Sequence, residues 1–138
     1  MKTETNIRRG RHCVFLINVH LVFVTKYRRK IFDQDASEKL RGYCASVSAD
    51  LDVEMVEMDG ERDHVNLLIN YQPKLAISNL VNSHKGVSSR LPRRDRPDIA
   101  QRDYYKGVLW SPSYFAGSCG GAPISIIRQY IEQQETLR

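Results

Sequence analysis

Polar and apolar residues alternate along Asp63-His64-Val65-Asn66-Leu67-Leu68-Ile69-Asn70, and this period of two predicts a strand with two unlike faces. Val65, Leu67, Ile69 and Tyr71 share a face suited to a core, while His64, Asn66, Leu68 and Asn70 share the other. Residues 13–25 repeat the pattern: Phe15, Ile17, Val19, Leu21 and Phe23 form one apolar face, with Asn18 and His20 opposite. Between these strands Leu40, Tyr43, Cys44, Val47 and Leu51 recur at helical spacing, predicting an amphipathic helix over 36–51 capped by Ser37 or Asp35. Residues 53–58 read as a further strand, and Asp59-Gly60 as the turn into the central one.

After Gln72-Pro73 the helical period returns in Ile77, Leu80, Val81 and His84 and extends to Val87 and Leu91, with Ser78 placed to cap. Pro92 and Pro97 then break a loop, and the aromatic-rich residues 104–115, bent at Pro112, predict the last strand. Residues 116–122 form a glycine-rich joint, and Pro123 opens a helix over 123–138 with Ile124, Ile127 and Ile131 on one side. Residues 1–11 hold only Met1 and Ile7 as apolar side chains and read as a mobile basic arm. The sum is one α+β domain over 1–138. It is a ferredoxin-like βαββαβ antiparallel sheet with helices on one face and an appended C-terminal helix, which leaves the other face free for a ligand or second subunit.

A net charge of +5 in 138 residues suits a polyanionic partner, although ordinary soluble proteins carry such a surplus too, so placement matters more. The cations group at Arg8, Arg9 and Arg11, in Lys26-Tyr27-Arg28-Arg29-Lys30, and in a helix face and loop with Lys85, Ser89, Arg90, Arg93 and Arg94. Phosphate gripping with Tyr27 stacked on a base is one reading, and a solvated strand end or loop is the other. Three cysteines without paired spacing read as reduced. The apolar run over 14–24 is too short for a membrane helix and nothing before it resembles a signal peptide, so a cytoplasmic protein without a membrane partner is expected.

His64 and Asn66 stand about 7 Å apart along their strand, a spacing that suits a divalent cation and equally suits polar residues facing water. Tyr130 and Gln134 lie one helical turn apart, hence one above the other. A phenol titrates near pH 10 and attacks only a polarised electrophile, a need that a metal-bound phosphodiester meets.

Five stretches carry a resemblance to a known family: residues 20–30 (His20 to Lys30), Asp63-His64-Val65-Asn66-Leu67-Leu68, Lys85-Gly86-Val87-Ser88-Ser89-Arg90, Leu109-Trp110-Ser111-Pro112-Ser113-Tyr114-Phe115, and Tyr130-Ile131-Glu132-Gln133-Gln134. In this order they resemble the single-tyrosine, HUH-type transposases of the IS200/IS605 insertion-sequence group. The resemblance implies a dimer whose tyrosine helix docks in trans, acting on single-stranded DNA ends folded into hairpins. It also implies Tyr130 as nucleophile, a 5′-phosphotyrosine intermediate with a free 3′-hydroxyl, His64 and Gln134 as ligands of Mg²⁺ or Mn²⁺, and no nucleotide cofactor. The family's second histidine falls at Asn66, whose amide oxygen is acceptable to a hard cation but shorter in reach, so weaker metal binding is expected. The alternatives are a domesticated or inactive hairpin-binding relative, an HUH replication initiator or relaxase, and a non-enzymatic ferredoxin-like module, which would carry aromatics on the open strand face where His64, Asn66 and Asn70 stand.

Overall fold

The computed structural model describes residues 8–9, 14–104, 106–118, 124–134 and 136. A short ribbon, β1 (Arg8–Arg9) with β2 (Val14–Phe15), precedes β3 (Asn18–Val24), α1 (Gln34–Asp50), β4 (Glu54–Glu61), β5 (His64–Asn70), α2 (Ile77–Asp95), α3 (Pro97–Asp103), β6 (Phe115–Ser118) and α4 (Ile124–Glu132). Four strands form an antiparallel sheet in the order β4-β5-β3-β6. The period-two residues of its two central strands, Val19, Leu21, Phe23, Val65, Leu67 and Ile69, are buried and pack with Leu40 and Cys44 of α1 and Leu80 and Val81 of α2. Burial on this scale is worth about 1.5–3 kcal/mol per large aliphatic side chain, which is what makes the alternation decide the face.

His84, which the sequence pattern places on the apolar side of α2, is fully buried there as a structural residue. Its Nδ1 donates to Leu80 O at 2.8 Å, so its Nε2 accepts from Ser48 Oγ of α1 at 3.1 Å. Trp110 closes the core's far end against Phe23 and Phe32, its indole N–H donating to Ser88 Oγ at 3.0 Å.

Several local expectations are corrected. Asp33, not Ser37 or Asp35, caps α1 by accepting from the Ala36 N–H, and Arg96 reaches across to Asp33 and Asp35. Helix α2 starts after Ala76 without a side-chain cap from Ser78. It runs through Pro92, which removes one helical donor near the C-terminal end, and Pro97 opens α3, so the basic loop is largely helical. The β4–β5 turn falls at Arg62-Asp63, because Asp59 and Gly60 pair with Asn66 and Val65 inside the ladder. The last strand, β6, lies at 115–118 rather than in 104–115, where Trp110 makes only an isolated bridge to Thr25. Of the presumed arm, Arg8 and Arg9 are paired in strand β1, while Arg11 lies outside the described residues.

The second sheet face is not free. Val22 and Val24, apolar residues that the alternation of β3 leaves unexplained, are fully buried beneath Ile127 of α4, with Phe115, Tyr130 and Ile131 beside them. No helix among the described residues is long and apolar enough to cross a membrane.

Gly60 is required by close approach: a Cβ there would sit 2.5 Å from His64 O and 3.0 Å from the Val65 Cα, both backbone atoms of the neighbouring strand. Gly60→Ala is therefore expected to lower stability by about 1–3 kcal/mol. Urea denaturation measures the loss, and an unchanged midpoint would refute the packing argument.

Candidate functional site

The turn after β3 builds one wall of the site. Tyr27 and Arg28 both adopt left-handed backbone (φ 60° and 56°), a conformation costing on the order of 1–2 kcal/mol per non-glycine residue. The bend is tied down by Thr25 Oγ1 donating to Arg29 O at 2.7 Å and by Ile31 N and Phe32 N donating to Arg62 O. It returns Arg28 to within 3.8 Å of the Asp63 carboxylate. Asp63 in turn holds His64 Nδ1 at 2.8 Å, which orients the ring and directs Nε2 away from the carboxylate. The His64 hydrogen bond is the main reason the Asp63 carboxyl lies below the usual range, with Arg28 adding to the effect. Its stabilising contribution is therefore present above the unfolded value of about 3.9 and is lost as pH falls through the lower folded value.

Asn66, two residues along, shares this face, and its Oδ1 is buried with no hydrogen-bond donor among the described residues. Leaving such an acceptor unmet costs about 1–3 kcal/mol, so the position takes a donor or a cation from the cavities it borders, water included. A cleft of about 330 Å³ opens here, lined by Arg28, Asp63, His64, Asn66, Arg128 and Glu132 among others. Among the described residues no three of His, Cys, Asp and Glu converge as a metal cluster, so any cation here depends on amide oxygens as well.

Tyr130 and Gln134 do not line that cleft. Both engage the Ser111-Pro112-Ser113 turn: the Tyr130 hydroxyl lies 2.5 Å from Ser113 Oγ, and Gln134 Oε1 accepts from Ser111 Oγ at 3.1 Å and Ser113 Oγ at 3.3 Å. The Gln134 amide N–H also donates to Tyr130 O at 3.1 Å. Burial raises the Tyr130 phenol above its ordinary value, and the Ser113 contact partly offsets this. The turn is itself pinned from below by Lys85, whose ammonium donates to Ser111 O at 2.7 Å and Ser113 O at 2.9 Å and sits over the Phe23 and Tyr114 rings. Burial pushes the Lys85 ammonium down to about 8.

The predicted DNA contacts divide accordingly. Lys85 is a strut inside the fold, and the Ser89 hydroxyl is turned back onto Gly86 O. Arg93 donates to Gly107 O and lies over the Tyr104 ring, while Arg94 pairs with Asp95. Lys26 stands over the Tyr27 ring at 5.0 Å, and Arg29 is half-buried beside them. Arg9, Lys30 and Arg90 are exposed. Sequence reasoning did not find Asp63, Ser111, Ser113 or Arg128. Asp63 adjoins His64 and was detectable as its orienting carboxylate, whereas the serines' role follows only from where α4 docks.

A sequence model described as "Transposase IS200 like" matches residues 13–134. The chain belongs to that family. It is 29% identical to the ISDra2 transposase TnpA of Deinococcus radiodurans over 93% of this chain and 91% of that one. It is 25% identical to the transposase for insertion sequence element IS200 of Salmonella typhimurium, over 83% and 74% of the two chains. A crystal structure from Deinococcus radiodurans R1 superposes with a TM-score of 0.87 at 28% identity, covering 94% of this chain and 99% of that one. A REP-associated tyrosine transposase bound to a REP hairpin shares the fold at 12% identity, with a TM-score of 0.57 over 91% and 68% of the chains. The antiparallel four-stranded sheet with flanking helices is thus the fold of the family's transposases.

Replacing the strut tests its role. Lys85→Met leaves the carbonyls of Ser111 and Ser113 without their charged donor and should cost about 1–3 kcal/mol. Faster amide hydrogen exchange at Ser111, whose N–H bonds Val24 O, is the expected local signature. Unchanged exchange would show that Lys85 does not hold the turn.

Proposed function

We infer that this transposase cuts and rejoins single-stranded DNA through a covalent tyrosine intermediate at the His64 face. The observation that carries this reading is the orphaned Asn66 oxygen beside a histidine already oriented by Asp63, in a cleft flanked by Arg28 and Arg128, with the helix bearing Tyr130 packed on the same sheet. The residues fit Mg²⁺ or Mn²⁺: His64 Nε2 and Asn66 Oδ1 would hold the ion, and Gln134 Oε1 would join them once released from the serines. When bound, such an ion withdraws charge from a non-bridging phosphate oxygen.

The chain's own residues supply the rest. Arg28, which is not on the exchanged helix, places the phosphate by a charge-assisted contact. The Tyr130 phenolic oxygen forms a bond to phosphorus as the bond to the leaving sugar oxygen breaks. The proton lost by the phenol is balanced by one gained at the freed 3′-hydroxyl, which leaves a 5′-phosphotyrosine. Because the phosphodiester's energy is retained in that linkage, rejoining needs no nucleotide cofactor. In this reading the productive pair comes from the helix of a second copy docked in trans within a homodimer, which the engagement of Tyr130 and Gln134 with Ser111 and Ser113 of their own chain supports. The fold shared with a tyrosine transposase bound to a REP hairpin supports hairpin-bearing single strands as the substrate, with Arg9, Lys26, Lys30 and Arg90 as outer phosphate contacts.

A second reading, a relative that binds hairpins without cutting them, is favoured by Asn66 in place of histidine and by the occupied Gln134 oxygen.

Incubation of the protein with end-labelled hairpin-bearing single strands and Mn²⁺ is expected to give a covalent protein-DNA adduct that is absent in EDTA and absent in Tyr130→Phe. An adduct surviving that substitution would overturn the nucleophile assignment, and none under any condition would favour the non-cutting relative. Asp63→Asn should weaken Mn²⁺ binding by about 10–100-fold, and Asn66→His should tighten it, both read by Mn²⁺ electron paramagnetic resonance. Equal affinity in all three proteins would remove the metal from this face.

A further inference from the structure

Asn66 borders a second cavity of about 330 Å³ on the same sheet face, whose other lining residues are His20, Glu57, Asp59, Leu68 and Ile127. The strand register explains the grouping. Asp59 of β4 stands opposite Asn66, and Glu57 stands opposite Leu68, which is itself opposite His20 of β3. Directly opposed residues of an antiparallel pair project to the same side, so two carboxylates, an amide oxygen and an imidazole face one hollow.

The two cavities flanking Asn66 both carry carboxylates and differ in their cations. The His64 side sets Arg28 and Arg128 among the carboxylates of Glu61, Asp63 and Glu132, whereas none of the described residues lining the His20 side is a lysine or arginine. A phosphate finds cationic partners only on the first side, and Glu57 and Asp59 repel it from the second. Charged residues on β4 serve one bland purpose, since a strand at the sheet edge needs charge to resist pairing with other chains. That purpose requires no cavity, and it leaves the buried, donorless Asn66 oxygen unexplained. What the hollow accepts is an uncharged flat group rich in donors, with Leu68 and Ile127 offering apolar surface to its ring. Burial holds the His20 imidazole below its ordinary pKa, against the opposing effect of Glu57, which favours the neutral ring with one donor and one acceptor.

We propose that the cavity formed by His20, Glu57, Asp59 and Asn66 is a nucleobase pocket that selects a base bearing an exocyclic amine, in a nucleotide next to the phosphodiester held at His64. The proposal rests on the single-strand cleavage reading of the His64 face and adds to it a source of sequence preference in the protein itself. Cytosine fits through its N4 amine, the group that Glu and Asp side chains accept from in direct readout, and adenine and guanine also carry an amine. Thymine has none. The Asn66 carbonyl lies between the two cavities, so base and phosphate would occupy adjacent positions of one strand.

The test compares two pyrimidines so that stacking differs little. Fluorescence anisotropy with fifteen-nucleotide oligodeoxycytidylate and oligodeoxythymidylate, at one fixed salt concentration, is expected to show the cytosine strand bound at least about fivefold more tightly. In the double variant Glu57→Gln, Asp59→Asn that ratio should fall to within about twofold, whatever the change in overall affinity from the lost negative charge, because only the ratio reports the pocket. Each carboxamide keeps the shape of its carboxylate, and His20→Gln provides an independent variant with the same expected loss of ratio. Equal binding of the two strands by the unmodified protein, or a ratio preserved in both variants, overturns the pocket. If the ratio is one while the Tyr130 adduct still forms, the pocket alone fails. If neither strand binds and no adduct forms, the cleavage reading fails and takes the pocket with it.

Discussion

The pairing of β3 with β5 is the constraint on which the rest depends. Seven residue pairs run in unbroken register from Asn18 opposite Asn70 to Val24 opposite His64. A slip of one residue would turn Leu67 and Ile69 outward and His64 and Asn66 into the core. Six buried aliphatic and aromatic positions across the two strands oppose any such slip, and α1 and α2 seal them. The chemistry of the opposite face is thus fixed by residues that never touch it. The turn at Arg62-Asp63 sits at one end of this register, which is why Asp63 falls where it can orient His64, and Gly60 lets β4 approach closely enough to place Asp59 opposite Asn66.

Helix α4 introduces a competition. Its apolar side must cover Val22 and Val24, and once Ile127 is seated there the helical period decides what each other residue meets. Arg128 and Glu132 face the His64 cleft, while Tyr130 and Gln134 meet the serine turn. A carbonyl oxygen offers two lone pairs, and on Gln134 Oε1 both are occupied by serine hydroxyls. Metal binding by that oxygen and docking of the helix on its own sheet are therefore mutually exclusive at this geometry. The Lys85 strut makes the serine turn rigid, so exchange of the helix has to break contacts held in place by a residue more than twenty positions earlier in the chain.

Much of this is legible in the sequence because one face of each central strand is apolar at every second residue and the helices α1 and α2 follow a clear period of 3.6. His64 and Asn66 were placed on the right face by that pattern alone. Where the rule is weaker, the reading went astray. Asp59-Gly60 has the composition of a turn, yet the ladder continues through it because the neighbouring backbone approaches there. Pro92 and Pro97 have the composition of loop punctuation, yet Pro97 stands at a first helical residue, where its missing donor costs nothing, and α2 continues through Pro92 at the loss of one helical hydrogen bond. Cation-rich stretches said little about which charges are available: Lys85 and Arg93 are spent on carbonyls of the fold, and only the folded chain distinguishes them from Lys30 and Arg90. Burial of Val22 and Val24 could not be assigned without knowing where α4 lies.

Asn66 is where these strands of argument meet. An imidazole at this position would carry a donor or acceptor at a longer reach, whereas the amide keeps its oxygen close to the sheet, between a cleft that holds two arginines and one that holds none among the described residues. With no donor among the described residues, that oxygen is satisfied by water, a cation or a ligand entering from the cavities. A cation on the His64 side and an amine on the His20 side would both satisfy it, and one carbonyl oxygen can accept from two directions at once. If the His64 face holds a cation and the His20 face a base, as proposed, Asn66 is an acceptor common to both, and metal affinity and base preference would be linked through a single atom.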